Sequence, residues 1–140
     1  MDATLDWYWE GNVVEALARH LVSEGWIVES KADTYSKAQG VDIQASKDGA
    51  LLLVEAKGYP STGYRDPNRA GEKKPTNPTN QAQHWYSHAL LKAMRLQTKH
   101  PEAIVALGFP DFPRYRTLFE ETRTGLHRRC GARLMATLSR

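Results

Sequence analysis

Four consecutive apolar residues, Leu51-Leu52-Leu53-Val54, follow closely on the turn signal Lys47-Asp48-Gly49. A short, continuously apolar run of this kind belongs to a strand covered on both faces. Ahead of the turn, Val41, Ile43 and Ala45 alternate with Asp42, Gln44 and Ser46, the period-2 pattern of a half-buried strand. Residues 40–57, GVDIQASKDGALLLVEAK, therefore predict a pair of adjacent antiparallel strands joined by a tight turn. The rest of the fold has to be built around that pair.

The hairpin carries charges where a core would prefer none. Side chains two apart on a strand share a face, so Glu55 and Lys57 point to one side and Ala56 to the other. Pairing about the turn returns Asp42 to the same end of the sheet as Glu55. Taken singly, each of these residues reads as a solvated rim charge. Taken together, two carboxylates and an ammonium at one mouth suit metal-assisted hydrolysis of a phosphodiester. Carboxylate oxygens are the donors that a hard cation such as Mg²⁺ prefers, and a lysine is suited to orient water or offset charge developing on phosphorus.

Residue for residue, this stretch resembles the PD-(D/E)xK nuclease superfamily, whose signature is an acid on one strand and acid-x-Lys closing the next. Asp42 stands for the first acid and Glu55-Ala56-Lys57 for the second half, while Val41 occupies the place of the motif's proline. The resemblance implies an α/β fold with a restriction-endonuclease-like core, a mixed central sheet flanked by helices in the order αβββαβαβ. It also implies a divalent-metal-dependent nuclease, a DNA endonuclease, using Mg²⁺ or Mn²⁺. Asp42 and Glu55 would hold the cation, the backbone carbonyl of Ala56 would complete its shell, and Lys57 would position the attacking water. Relatives often add an acidic residue from the first helix, and Glu10 and Glu15 both compete for that role. Glu10 is favoured because, at 100° per residue, it lies on the same side as Val14, Leu17 and Leu21. A first-turn glutamate complementing the helix dipole is the alternative reading of Glu10.

Along the chain, apolar residues from Val13 to Val22 recur at helical spacing within residues 5–24, and Gly25 ends the run. Trp7, Tyr8 and Trp9 read as an anchor for the helix start, with base stacking as the alternative. Residues 25–30 predict the first strand, with Trp26 and Val28 on one face, and a polar loop follows it. After Lys57 the composition shifts. Residues 58–80 hold Pro60, Gly63, Pro67, Gly71, Pro75 and Pro78 together with Arg65, Arg69, Lys73 and Lys74. So long an insertion inside a compact domain is generally functional or mobile. It is expected to overhang the site, with Lys73 and Lys74 on phosphates. Thr79 or Asn80 is the expected cap of a second helix, buried through Ala82, Trp85, Tyr86, Ala89, Leu90, Ala93 and Leu96. Several superfamily relatives carry a glutamine at this helix start near the scissile phosphate, which makes Gln81 a candidate, although an exposed helix-start glutamine reads equally well. His84 and His88 have a zinc-compatible spacing, but no third ligand is evident, and His84 is instead assigned to phosphate contact. Residues 102–109 predict a central strand, 112–126 a helix and 133–138 a final short strand.

A length of 140 residues, 41% hydrophobic and 25% charged, fits one globular domain over residues 1–140. The single Cys130 excludes an internal disulfide framework. With no membrane-length apolar run and no basic leader, a cytoplasmic, membrane-independent protein is expected. Net charge is only +3, but the residues from Asp111 onward are rich in arginine, a candidate face for nucleic acid or simply a solvated surface. A homodimer is one arrangement that allows double-strand cleavage. A different class of function stays open, a non-catalytic nucleic-acid-binding or assembly module on the same scaffold.

Overall fold

The computed structural model describes residues 6–31, 40–60, 77–126 and 133–134. Its elements are α1 (Glu10–Ser23), β1 (Ile27–Lys31), β2 (Ile43–Lys47), β3 (Ala50–Ala56), α2 (Pro78–Lys99), β4 (Ile104–Gly108), α3 (Pro113–Gly125) and β5 (Arg133–Leu134). The fold is α/β, and its element order is the αβββαβαβ expected from the sequence. Lys73, Lys74 and most of the basic loop lie outside the described residues, as do the remaining positions of the expected last strand.

The five strands form one mixed sheet in the order β1-β2-β3-β4-β5. β1, β2 and β3 are successively antiparallel, whereas β4 runs parallel to both β3 and β5. The β2–β3 turn has the predicted chemistry. Lys47 pairs with Ala50, so Asp48 and Gly49 alone make the turn, at φ 50° and 82°. Two positive φ values in a two-residue loop match the right-handed twist of the strands, and glycine takes its position without a Cβ clash.

Alternation along β3 sorts the core into two layers. Leu52, Val54 and Ala56 pack with Ile43 and Ala45 against Val13, Val14, Leu17 and Leu21 of α1. Trp26 and Val28 join this layer, as their shared face predicts. On the other side of the sheet, Val105, Leu107 and Phe109 meet Ala82, Tyr86, Ala89 and Ala93 of α2 and Tyr115 and Leu118 of α3. The parallel β3–β4 pair requires a crossover, and α2 supplies it.

Several boundaries differ from expectation, each for a local reason. α1 begins at Glu10 rather than near residue 5, because Trp9 is its N-cap and residues 6–9 form a turn closed by a Trp9 N–H bond to the Asp6 carbonyl. Val22 is 60% exposed, since the buried stripe of α1 runs through Ala18 and Leu21 instead. β1 starts at Ile27, because Gly25 and Trp26 donate their N–H groups back to Val22 and Leu21 and so finish the helix. α2 is capped by Asn77, whose side chain accepts from the Thr79 N–H at 2.8 Å, and Pro78 takes the first helical turn, where a missing N–H costs nothing.

Candidate functional site

The chemistry-bearing residues of the hairpin meet at the C-terminal end of β3. Ile43 pairs with Val54, so the next residues outward on the two strands are Asp42 and Glu55. Both belong to the face opposite α1, and both are buried, at 8% and 2% exposure. The Ala56 N–H donates to Asp42 Oδ2 at 2.8 Å, which fixes the carboxylate across the strand pair. The two acids are therefore held face to face by the sheet itself.

Lys57, two residues beyond Glu55, lies on the same side, with Nζ 3.7 Å from Glu55 Oε1 and 4.0 Å from Glu10 Oε1. The backbone from Lys57 to Tyr59 is held at each residue. The Lys57 N–H donates to Gly108 of β4 at 3.0 Å, the Tyr59 N–H donates to Tyr8 at 3.0 Å, and the buried Tyr115 hydroxyl donates to the Gly58 carbonyl at 2.7 Å. Gly58 is needed for close approach: a Cβ there would stand 2.5 Å from the Tyr8 carbonyl oxygen and 2.6 Å from the Glu10 nitrogen. That contact sets the start of α1, and with it Glu10, against the end of β3.

The aromatic residues before α1 act as the anchor. Trp7 stacks on Phe112 with ring centroids 5.5 Å apart, Phe112 stacks on Tyr59 at 3.9 Å, and Tyr8 meets Phe112 edge-on at 5.3 Å. The segments on either side of Glu10 and Lys57 are thereby tied to the start of α3.

Lys92 is a site residue that sequence reasoning missed. Its Nζ lies 2.9 Å from Glu55 Oε2 and donates to the Gly40 carbonyl at 2.6 Å. Each oxygen of Glu55 thus faces a different lysine. At 100° per residue Lys92 stands about 60° from Ala89, at the border of the buried stripe of α2. A lysine at such a border can bury its stem and direct its charge inward. That placement was the available signal, but it points to no particular partner until β3 is set beneath the helix.

Burial pushes the Glu55 carboxyl up to about 7, and the neighbouring Asp42 charge adds to the rise, while Lys92 opposes both. Lys92 experiences the reverse balance: burial alone would lower its pKa, but Glu55, Asp42 and Glu10 together raise it. The Tyr115 hydroxyl is raised by burial, reinforced by Tyr59 and Glu10, and so remains a neutral donor.

Glu10, Asp42, Glu55 and Lys57 come together, with Ala56 contributing the amide that orients Asp42. Glu15 is elsewhere, paired with Lys31 at 3.0 Å on the surface. His84 is exposed. Gln81 is half-buried in the first turn of α2, about 16 Å of helix rise before Lys92, the residue through which α2 reaches Glu55. Among the described residues, no three acidic, histidine or cysteine side chains form a ready metal cage. Two facing carboxylates do fit Mg²⁺, which usually takes one or two protein carboxylates and keeps water or phosphate oxygens as its other ligands. No described helix is long and apolar enough to cross a membrane. The chain matches no protein-family model, no curated protein and no solved structure.

Proposed function

We propose that the protein is a divalent-metal-dependent nuclease of the PD-(D/E)xK type, with a restriction-endonuclease-like core, cutting DNA as an endonuclease. The observation that carries this reading is the convergence of Asp42, Glu55 and Lys57 on one face at the end of two paired strands. Asp42 and Glu55 would hold Mg²⁺ or Mn²⁺, with Glu10 and the Ala56 carbonyl completing the donor set. When bound, the cation offsets phosphate charge and acidifies the attacking water. Lys57, held by the backbone bonds on either side of it, orients that water and offsets charge on the non-bridging oxygens. Gln81 and His84 on α2 and Lys73 and Lys74 of the loop are the proposed nucleic-acid contacts. A cytoplasmic location and a homodimeric assembly belong to the same reading.

The second reading, a non-catalytic nucleic-acid-binding module, is favoured by one feature: both Glu55 oxygens already face lysines, so this carboxylate carries its own counter-charges. Cleavage of supercoiled, linear and single-stranded DNA with Mg²⁺ or Mn²⁺, comparing wild type with Lys57→Ala and Asp42→Ala, separates the two. A nuclease cuts only as wild type and only with metal. DNA binding without cleavage under either metal would establish the module.

A further inference from the structure

Lys92 lies outside the acid-x-Lys signature, yet it makes the shortest ion pair in the site. Its ammonium is 2.9 Å from Glu55 Oε2, and Glu55 is 97% buried, with 3% of its side chain exposed. An uncompensated carboxylate buried to that degree would be strongly destabilising. The second contact of Nζ, to the Gly40 carbonyl at 2.6 Å, sits just before β2, so Lys92 links α2 to the chain entering Asp42 as well as to Glu55. Lys57 does not duplicate this role, because it stands at 3.7 Å from the other oxygen and divides its charge between Glu55 and Glu10.

A cation bound to Oε2 would have to occupy the region the ammonium now fills. Two positive charges about 3–4 Å apart beside a buried carboxylate repel each other. Lys92 has somewhere to go, because its side chain is 38% exposed and its stem is flexible. We propose that Lys92 is an exchangeable internal counter-cation, which neutralises Glu55 in the metal-free protein and gives up the carboxylate when a divalent cation enters. The inference rests on the metal-dependent reading of the site. It adds that metal binding is opposed by a tethered competitor, so that the freed ammonium becomes available to a phosphate only in the loaded state.

The test is direct Mn²⁺ binding to the full chain at pH 8 without nucleic acid, read from the electron paramagnetic resonance of free Mn²⁺. Lys92→Met should bind Mn²⁺ at least tenfold more tightly than wild type, and Lys92→Arg, which keeps a tethered cation, should stay near wild type. Metal-free Lys92→Met should melt below wild type, with the difference closing in saturating Mn²⁺. Should Lys92→Met fail to fold, wild type alone decides: its Lys92 amine should acetylate faster in saturating Mg²⁺ than without it, as read by mass spectrometry. Equal or weaker Mn²⁺ binding by Lys92→Met, or a Lys92 reactivity indifferent to Mg²⁺, overturns the proposal. Cleavage by wild type with unchanged Mn²⁺ affinity in the variant defeats this inference alone. Tighter Mn²⁺ binding by the variant without cleavage in any assay defeats the nuclease reading alone, and no Mn²⁺ uptake by either protein defeats both.

Discussion

At the scale of single residues, Glu55 sets the terms. Its carboxyl, raised to about 7 by burial and by Asp42, binds a proton in the folded state over a pH range in which the unfolded chain does not. The native state then holds more protons than the unfolded one, so stability falls as pH rises from about 4.5 to 7. Chemical denaturation of the metal-free protein should show a loss of a few kcal/mol across that window. Glu55→Gln should flatten the dependence, and a wild-type profile that rises with pH would contradict the assignment. On the nuclease reading, Lys57→Ala should lower the cleavage rate by about a hundredfold or more, because a positioned group acting at a reacting phosphate is worth that much. Its melting temperature should change little, since Lys92 still pairs with Glu55. The acids and Lys57 were readable in the sequence because strand periodicity fixes which side chains share a face. Lys92 was not, because its relation to Glu55 depends on where a helix lands on the sheet, which no local spacing encodes.

At the scale of elements, two glycines separate stability from function. Gly49→Ala forces a Cβ into a φ of 82° in a turn remote from the acids. It should cost about 1 kcal/mol in denaturant unfolding and leave cleavage per folded molecule unchanged. Gly58→Ala places a Cβ against backbone atoms of Tyr8 and Glu10. Here the start of α1 must shift, at a cost of about 1–3 kcal/mol, and Glu10 moves away from Lys57. Cleavage should fall more than tenfold even in protein that remains folded, and equal activity in the two variants would show that the α1–β3 junction does not position the site. The elements themselves were legible from alternation and helical spacing. The Gly25 stop of α1 was legible too, but the helix starts were less so, because Asn77 caps α2 through a side-chain bond to the Thr79 N–H and Trp9 closes a preceding turn, neither of which periodicity encodes.

At the scale of the whole molecule, α1 covers one face of the sheet and α2 with α3 the other, and the acids sit where the antiparallel hairpin meets the parallel β3–β4 pair. That change of direction was implicit in the element order, since a long crossover separates β3 from β4. The assignment of each helix to a face required the packed core. A site joining α1, β2, β3 and α2 couples ligand binding to global stability. Mn²⁺ at a hundred times its dissociation constant should stabilise the fold by about 2.7 kcal/mol and raise the melting temperature by several degrees, and Asp42→Asn should abolish the shift. DNA affinity should fall steeply with salt if phosphate contacts dominate, as measured by titration at several ionic strengths.

The hydrogen bond from the Ala56 amide to Asp42 has one more consequence. A side chain there takes the place of a backbone carbonyl as the last rung between β2 and β3, so the ladder is closed by a group that can change its partners. The Ala56 amide is therefore a spectroscopic reporter placed inside the site. Its nitrogen and proton shifts, and its rate of exchange with solvent, will register any event that draws the carboxylate away, whether a cation or a substitution.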